Sequence, residues 1–496
     1  AAGDASVKGI YIKAETNNND FATSDELRNA IIGFKSTGKF VYAYGNSISM
    51  KGYYVANIAD KVYANPIGGL EWKGMAIQMP FVKGTLDRLE IEPQIFYAGK
   101  FKSATEPLRE KQMTEANKIQ SKEVLFDVYN ELLIKTAAAR NIDTATLRKY
   151  ADSNTVQFPH AAVEHKMLDG LKYDDEVKNE LREKLKIDAD AKINFITPGK
   201  YAESVDFQPS GNEKIAVIYA EGNILDGKGD RGQIGGETYM QYIRKARMDK
   251  SIKAIVLRIN SGGGSAMASE LMWREVELAK KVKPVIVSFG DIAASGGYYM
   301  ACAADSIFAQ PTTITGSIGV FNFVMNMQKF FDDKLGITFD NVATNENAII
   351  SAVKPMTPFQ KKYIQNEVDS IYAGFKLRVA KGRNKSPEFV DSIAQGRIYS
   401  GKRAVELGLV DRIGGLNDAI ASAAAKANIK SFKLREYPAK QSVIEMFFSK
   451  ETGDVKEQAI KNELGANGYK LYTLIKEMEQ SNGKAQTRIP FELILE

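Results

Sequence analysis

Short apolar runs alternate along this chain with longer stretches of helical periodicity, and the order is clearest in the middle of the sequence. Ile215-Ala216-Val217-Ile218-Tyr219-Ala220 reads as a buried strand. Ile252–Ile259 reads as a second, followed by a turn at 260–264, a helix near 265–282, a strand Val285–Phe289, a turn Gly290–Ala294 and a helix from Ser295. Continuous apolar strands separated by helices predict βαβ units and a parallel sheet covered on both faces, so the fold class is α/β.

The same pattern occurs twice. Sliding the sequence against itself by 245 positions aligns residues 1–75 with 246–320 without a gap, and 17 of the 75 positions are identical. Asp4 falls on Asp249, Lys8 on Lys253, Gly45 on Gly290, Gly52-Tyr53-Tyr54 on Gly297-Tyr298-Tyr299, Asp60 on Asp305, Pro66 on Pro311 and Gly74 on Gly319. A weaker echo relates Ala162-Val163-Glu164 and Leu168-Asp169 to Ala404-Val405-Glu406 and Val410-Asp411. A tandem duplication is expected. Its parts are an amino-terminal repeat over 1–196, a polar, proline-bearing linker over 197–212, a second repeat over 213–435 and a helical extension over 436–496. Leu471, Leu474, Ile475 and Met478 in that extension have the spacing of a docked amphipathic helix. No counterpart of the 215–220 strand precedes Ala1, so that strand and any membrane anchor are expected ahead of the sequence given.

The two copies differ where chemistry would sit. The second reads Asn260-Ser261-Gly262-Gly263-Gly264 where the first reads Glu15-Thr16-Asn17-Asn18-Asn19, and Ser295-Gly296 where the first has Met50-Lys51. Taken alone, the glycine turn is a tight turn and Ser295 a helix N-cap. Together, two turns on adjacent parallel strands meet at the carboxyl edge of one sheet, where α/β sites form. An attacking Ser295 with N–H donors from Gly296 and Gly263 has the ingredients of an oxyanion hole. Walker and dinucleotide spacings are absent.

Composition removes several alternatives. At 496 residues, two domains are expected rather than one core. The net charge of +6 comes from 67 basic and 61 acidic residues spread along the chain; it suits an anionic membrane face and does not single out nucleic acid, which is not an expected partner. Cys302 is the single cysteine, which excludes an internal disulfide, and its apolar neighbours predict burial. His160 and His165 lie far in sequence from the serine motif, which disfavours a Ser-His-Asp triad. A desolvated lysine can serve as base instead, but with so many basic residues the composition does not choose one.

These motifs resemble signal peptide peptidase A, the family of bacterial serine-lysine membrane-associated peptidases, in its long form of two tandem domains. The resemblance rests on Asn260–Ser265, Ala294-Ser295-Gly296-Gly297-Tyr298-Tyr299, Thr315-Gly316-Ser317-Ile318-Gly319, Gly396-Arg397-Ile398-Tyr399 with Gly408-Leu409-Val410-Asp411, and, in the first half, Phe101-Lys102-Ser103-Ala104-Thr105-Glu106-Pro107. It implies tandem ClpP/crotonase-like domains, Ser295 as nucleophile, Lys102 as general base with Lys100 as its rival, and Ser317 as a hydroxyl holding the lysine. Gly262 stands where the family usually has proline, which leaves the second oxyanion donor open between Gly263 and Gly264. The likeness further implies no metal or organic cofactor, peptide substrates of the remnant signal-peptide type, a homo-oligomer of tetrameric form, and anchoring in the bacterial cytoplasmic membrane with the catalytic domains facing the periplasm or cell exterior. Two other readings are a crotonase-type acyl-CoA enzyme, which would want a carboxylate at the site, and a catalytically silent membrane scaffold that binds peptides.

Overall fold

The computed structural model describes residues 1–205, 211–230 and 232–439, together with 463, 465, 469, 472 and 482–489. Leu471, Leu474, Ile475 and Met478 lie outside the described residues.

The duplication is visible as two parallel sheets with the same local order. In the first half, Gly9–Lys13, Phe40–Ile48, Lys61–Leu70 and Gly170–Leu171 pair in that sequence, all parallel. In the second, Ile252–Ser261 pairs with Val285–Ala294, which pairs with Ser306–Ala309, which pairs with Arg412–Ile413, again all parallel. Lys214–Glu221 and Lys433–Tyr437 extend this second sheet on one side, and Ile314–Gly316 with the antiparallel Ile398–Ser400 extend it on the other. The central strands are buried along almost their whole length, as their unbroken apolar sequence requires.

Identities shared by the two halves hold the scaffold. The Tyr53 hydroxyl donates to the Met167 carbonyl, and the Tyr298 hydroxyl to the Leu409 carbonyl. Asp169 accepts from the Val62 amide and Asp411 from the Ile307 amide, so each carboxylate pins a returning chain to a strand end. Burial pushes the Tyr298 hydroxyl far above the ordinary tyrosine range, so it stays a neutral donor.

One expectation needs revising in detail. The stretch Gly290–Ala294 is not a turn, because the strand runs from Val285 to Ala294 with a register shift against its neighbour between Phe289 and Ala293. The Asn260 side chain fills that shift by accepting from the Ile292 amide, and it rests where a Cβ on Gly290 would come within 3.0 Å. The proline-bearing stretch between the repeats carries a helix, Pro198–Ser204, capped by Thr197.

A third sheet joins the halves. Glu92–Ala98, from the first half, runs antiparallel to Val320–Asn326 of the second over seven residue pairs. The sheet continues through Gln486–Arg488, Gly263–Ser265, Asn223–Leu225 and Gln233–Gly235. The 26-residue helix Glu115–Arg140, capped by Thr114, closes the seam: Asp127 accepts from the Ser400 hydroxyl and Glu131 pairs with Lys402. Among the described residues no helix is long and apolar enough to cross a membrane.

Candidate active site

Ser295 sits where the strand Val285–Ala294 breaks into the helix Gly296–Ala301. Its φ of +53° is a left-handed value that costs a non-glycine residue about 1–3 kcal/mol, and it persists because neighbours fix it on both sides. The Ser295 amide donates to the Gly316 carbonyl, and the Ser295 carbonyl accepts from the Tyr299 amide. The side chain is therefore thrown out of the strand at its carboxyl end.

Lys102 arrives from the other half. It follows Glu92–Ala98, whose pairing with Val320–Asn326 carries the next few residues over the second-half sheet. Its amine lies 2.9 Å from the Ser295 hydroxyl oxygen, 3.1 Å from the Ser317 hydroxyl and 3.3 Å from the Ser317 carbonyl. The whole residue is 1% exposed. Burial alone pushes the amine well below the ordinary lysine range. The backbone around it is close-packed: a methyl group on Gly319 would fall 3.1 Å from the Lys102 Cδ. Lys100, the rival, is exposed, with its amine 5.8 Å from the centre of the Phe101 ring.

Ser317 also has positive φ, +51°, and its amide donates to the Arg397 carbonyl at 2.6 Å. On the next residue, the Ile398 amide donates to the Gln120 side chain, whose Nε2 in turn donates to the Phe101 carbonyl and the Ser103 hydroxyl. Gln120 thus ties the lysine turn to the strand that holds Ser317. Nothing in the sequence singled it out, since one glutamine on a long helix carries no local signal. His165 packs against the Tyr150 ring and His160 is exposed on its short helix.

The glycine turn lies beside the serine. A Cβ on Gly263 would come within 2.8 Å of the Gly296 amide nitrogen, so the two backbones are in contact. The Gly263 amide donates to the Ser261 hydroxyl at 3.2 Å. Gly263 and Gly264 both have φ values of the kind glycine alone adopts freely, +104° and +154°. Cys302 is buried, donates to the Tyr299 carbonyl, and has its thiol pushed up to about 12 by burial, which makes it inert.

A buried amine beside a strained serine, with main-chain amides alongside, can carry out acyl transfer. The sequence model of Peptidase family S49 matches residues 33–188 and 277–430, one region in each half. The chain belongs to Peptidase family S49. It is a serine peptidase of tandem α/β build, and peptides are its substrates. S49 membership removes the acyl-CoA reading. The chain is 33% identical over 472 residues to Protease 4 of Salmonella typhi, covering 92% of this chain and 75% of that protein. It is 35% identical over 440 residues to Protease 4 of Haemophilus influenzae, with 86% and 71% covered. To the protein named Serine protease SPPA, chloroplastic, of Arabidopsis thaliana it is 32% identical over 438 residues, with 86% and 64% covered. Among solved structures, a mutant ClpP1 from Listeria monocytogenes overlaps 41% of this chain and 94% of its own at 14% identity and a TM-score of 0.28. That overlap is slight, and the S49 assignment rests on sequence.

Proposed function

We infer that this S49 peptidase hydrolyses peptide bonds through an acyl-enzyme on Ser295, with Lys102 as general base. The observation that carries the reading is the 2.9 Å approach of a fully buried amine to the Ser295 hydroxyl. A neutral Lys102 takes the serine proton as Oγ attacks the carbonyl carbon, and the resulting ammonium returns it to the leaving amine. In the second half-reaction Lys102 takes a proton from water, whose oxygen attacks the ester and releases Ser295. Ser317 holds the lysine by accepting from its amine. The developing oxyanion is met by the Gly296 amide and by a second amide from the Gly263–Gly264 pair, each donor being worth about 2.7–4 kcal/mol.

An extended peptide can add as a strand beside this site, read by pockets for alternate side chains. Short, apolar, unfolded peptides of the remnant signal-peptide type suit that mode. The working form in this proposal is a homotetramer at the bacterial cytoplasmic membrane, with its catalytic domains towards the periplasm or cell exterior. The test is turnover of an apolar fluorogenic peptide together with mass analysis of a peptide-aldehyde adduct. Adduct on Ser295, with turnover lost in Ser295→Ala, is expected; turnover retained in Ser295→Ala, or a folded protein that never reacts, returns the chain to a peptide-binding scaffold.

A further inference from the structure

The strand that carries Ser295 is gripped at its bulge by the other half of the chain. Phe289 pairs with Ile259 and Ala293 with Ser261, so the three residues Gly290 to Ile292 stand opposite the single residue Asn260. From the middle of this bulge the Asp291 carboxylate reaches the first turn of the helix Phe21–Lys35, accepting from the Thr23 amide at 2.8 Å and from the Thr23 hydroxyl at 2.5 Å. That amide is one of the donors that a helix start leaves without an intrahelical partner, and the helix dipole favours a carboxylate there. Asp20, in the capping position, makes no side-chain cap bond, and its carboxylate pairs with Lys51 at 2.5 Å. The cap of this first-half helix therefore comes from Asp291 of the second half.

A second contact fastens the same helix to the start of the bulge. One turn on from Thr23, Glu26 pairs with Arg258 at 2.7 Å, and Arg258 also donates to the Ser288 hydroxyl at 2.9 Å and to the Phe289 carbonyl at 2.8 Å. The other Glu26 oxygen accepts from the Leu416 amide at 3.0 Å. Beyond the bulge, Ala293 and Ala294 pair with Thr315 and Gly316, and Ser295 follows at once with its left-handed φ. The path of the bulge thus reaches the serine through two paired residues.

The bulge belongs to the fold, whereas the carboxylate belongs to the half that carries the nucleophile. The corresponding strand of the first half, Phe40–Ile48, shifts register at the same place, between Gly45 and Ser47. Glu15 fills that shift by accepting from the Asn46 amide at 3.3 Å, much as Asn260 accepts from the Ile292 amide. The residue aligned with Asp291 is Asn46, which is exposed and accepts from the Tyr44 hydroxyl and the Asn65 side chain of its own half. Without a serine to aim, that bulge is tied to its own half.

We propose that Asp291 is a positioning residue for Ser295: held by Thr23, its carboxylate fixes the bulge and with it the angle at which the serine meets Lys102 and the main-chain amides. The proposal rests on the Ser295–Lys102 reading above. It gives the first half a second part in the site, a helix start that holds the nucleophile strand. The effect belongs to the transition state, because a serine presented at the wrong angle leaves peptide binding alone and slows the attack.

The experiment measures turnover of one apolar fluorogenic peptide, the rate at which a serine-directed fluorophosphonate labels Ser295, and melting, in the unaltered chain and in Asp291→Leu, Asp291→Asn and Thr23→Val. Asp291→Leu, which keeps the volume and removes both acceptors, is expected to lower kcat and the labelling rate about 10–100-fold with KM little changed. Asp291→Asn, which keeps an acceptor for the Thr23 amide, is expected to recover most of that loss and to label about threefold more slowly than the unaltered chain. Thr23→Val, which removes the hydroxyl and keeps the amide, is expected to slow labelling by about threefold by itself and to add nothing to Asp291→Leu, the coupling of two residues that act through one contact. A lower melting temperature with kcat and labelling unchanged overturns the proposal, since it makes the contact one of stability alone. So does a Thr23→Val effect of equal size with and without Asp291. Should Asp291→Leu fail to fold, the two milder variants decide the matter, and unchanged labelling in both overturns the proposal. Absence of labelling and turnover in the unaltered chain is instead the failure of the serine-lysine reading on which it rests.

Discussion

Gly396 and Lys102 are in such close contact that a methyl group on Gly396 would lie 2.7 Å from the Lys102 Cβ. Gly396 has a φ of +74°, its amide donates to the Ile318 carbonyl, and the neighbouring Gln395 carbonyl accepts from the Phe101 amide. The second half thus presses its backbone against the lysine of the first, and only glycine permits the approach.

Gly396→Ala forces that contact apart and also burdens a left-handed residue with a Cβ, a cost of about 1–2 kcal/mol for the backbone alone. Because a displacement on the order of 1 Å at a reacting group can cost about 10²-fold, turnover is expected to fall about that much or more. Circular dichroism, melting and steady-state kinetics measure both effects.

Gln120 acts through Lys102, as a positioning residue. Gln120→Leu keeps the volume and removes the bonds to Phe101, Ser103 and Ile398. The expected result is a fall in kcat of about 10–100-fold with KM little changed, the signature of an interaction felt in the transition state rather than in peptide binding. Gln120→Glu, which keeps the acceptor for the Ile398 amide, is expected to lose less.

The buried amine sets a pH dependence whose direction follows from linkage. Folding lowers the Lys102 pKa, so the unfolded chain binds more protons between that value and the ordinary lysine value of about 10.4, and stability rises with pH across this window. Lys102→Met removes the buried amine, so it is expected to raise Tm at neutral pH, by an amount that shrinks as pH climbs towards about 10. Calorimetry at several pH values checks this. In the unaltered protein, activity is expected to rise with pH through the same lowered pKa, as the amine becomes a base.

The sequence revealed the halves because Tyr53 and Tyr298, and Asp169 and Asp411, do equivalent structural work and so kept their identities. It revealed the α/β class because buried parallel strands need continuous apolar runs. It did not reveal the sheet that joins the halves: the strands Glu92–Ala98 and Val320–Asn326 meet only in three dimensions, and pairing between residues as far apart in sequence as Glu92 and Asn326 leaves no periodic trace. Nor could composition select Lys102 among 67 basic residues, since what distinguishes it is burial by Gly319, Gly396 and Ser317, which is a property of the fold. The resemblance supplied that residue, and Gln120 stayed hidden for the same physical reason. The strand Gln486–Arg488 is short and polar, and it takes its conformation from the strands it pairs with, Gly263–Ser265 and Val320–Asn326.

The central claim is that a lysine from one half activates a serine from the other, and the rate at which a fluorophosphonate modifies Ser295 tests it most directly. Lys102→Met, with melting and circular dichroism showing a folded protein, is expected to slow that modification by about 10³-fold or more, to the level of an unassisted hydroxyl. Modification of Ser295 in folded Lys102→Met at the unaltered rate would contradict the account.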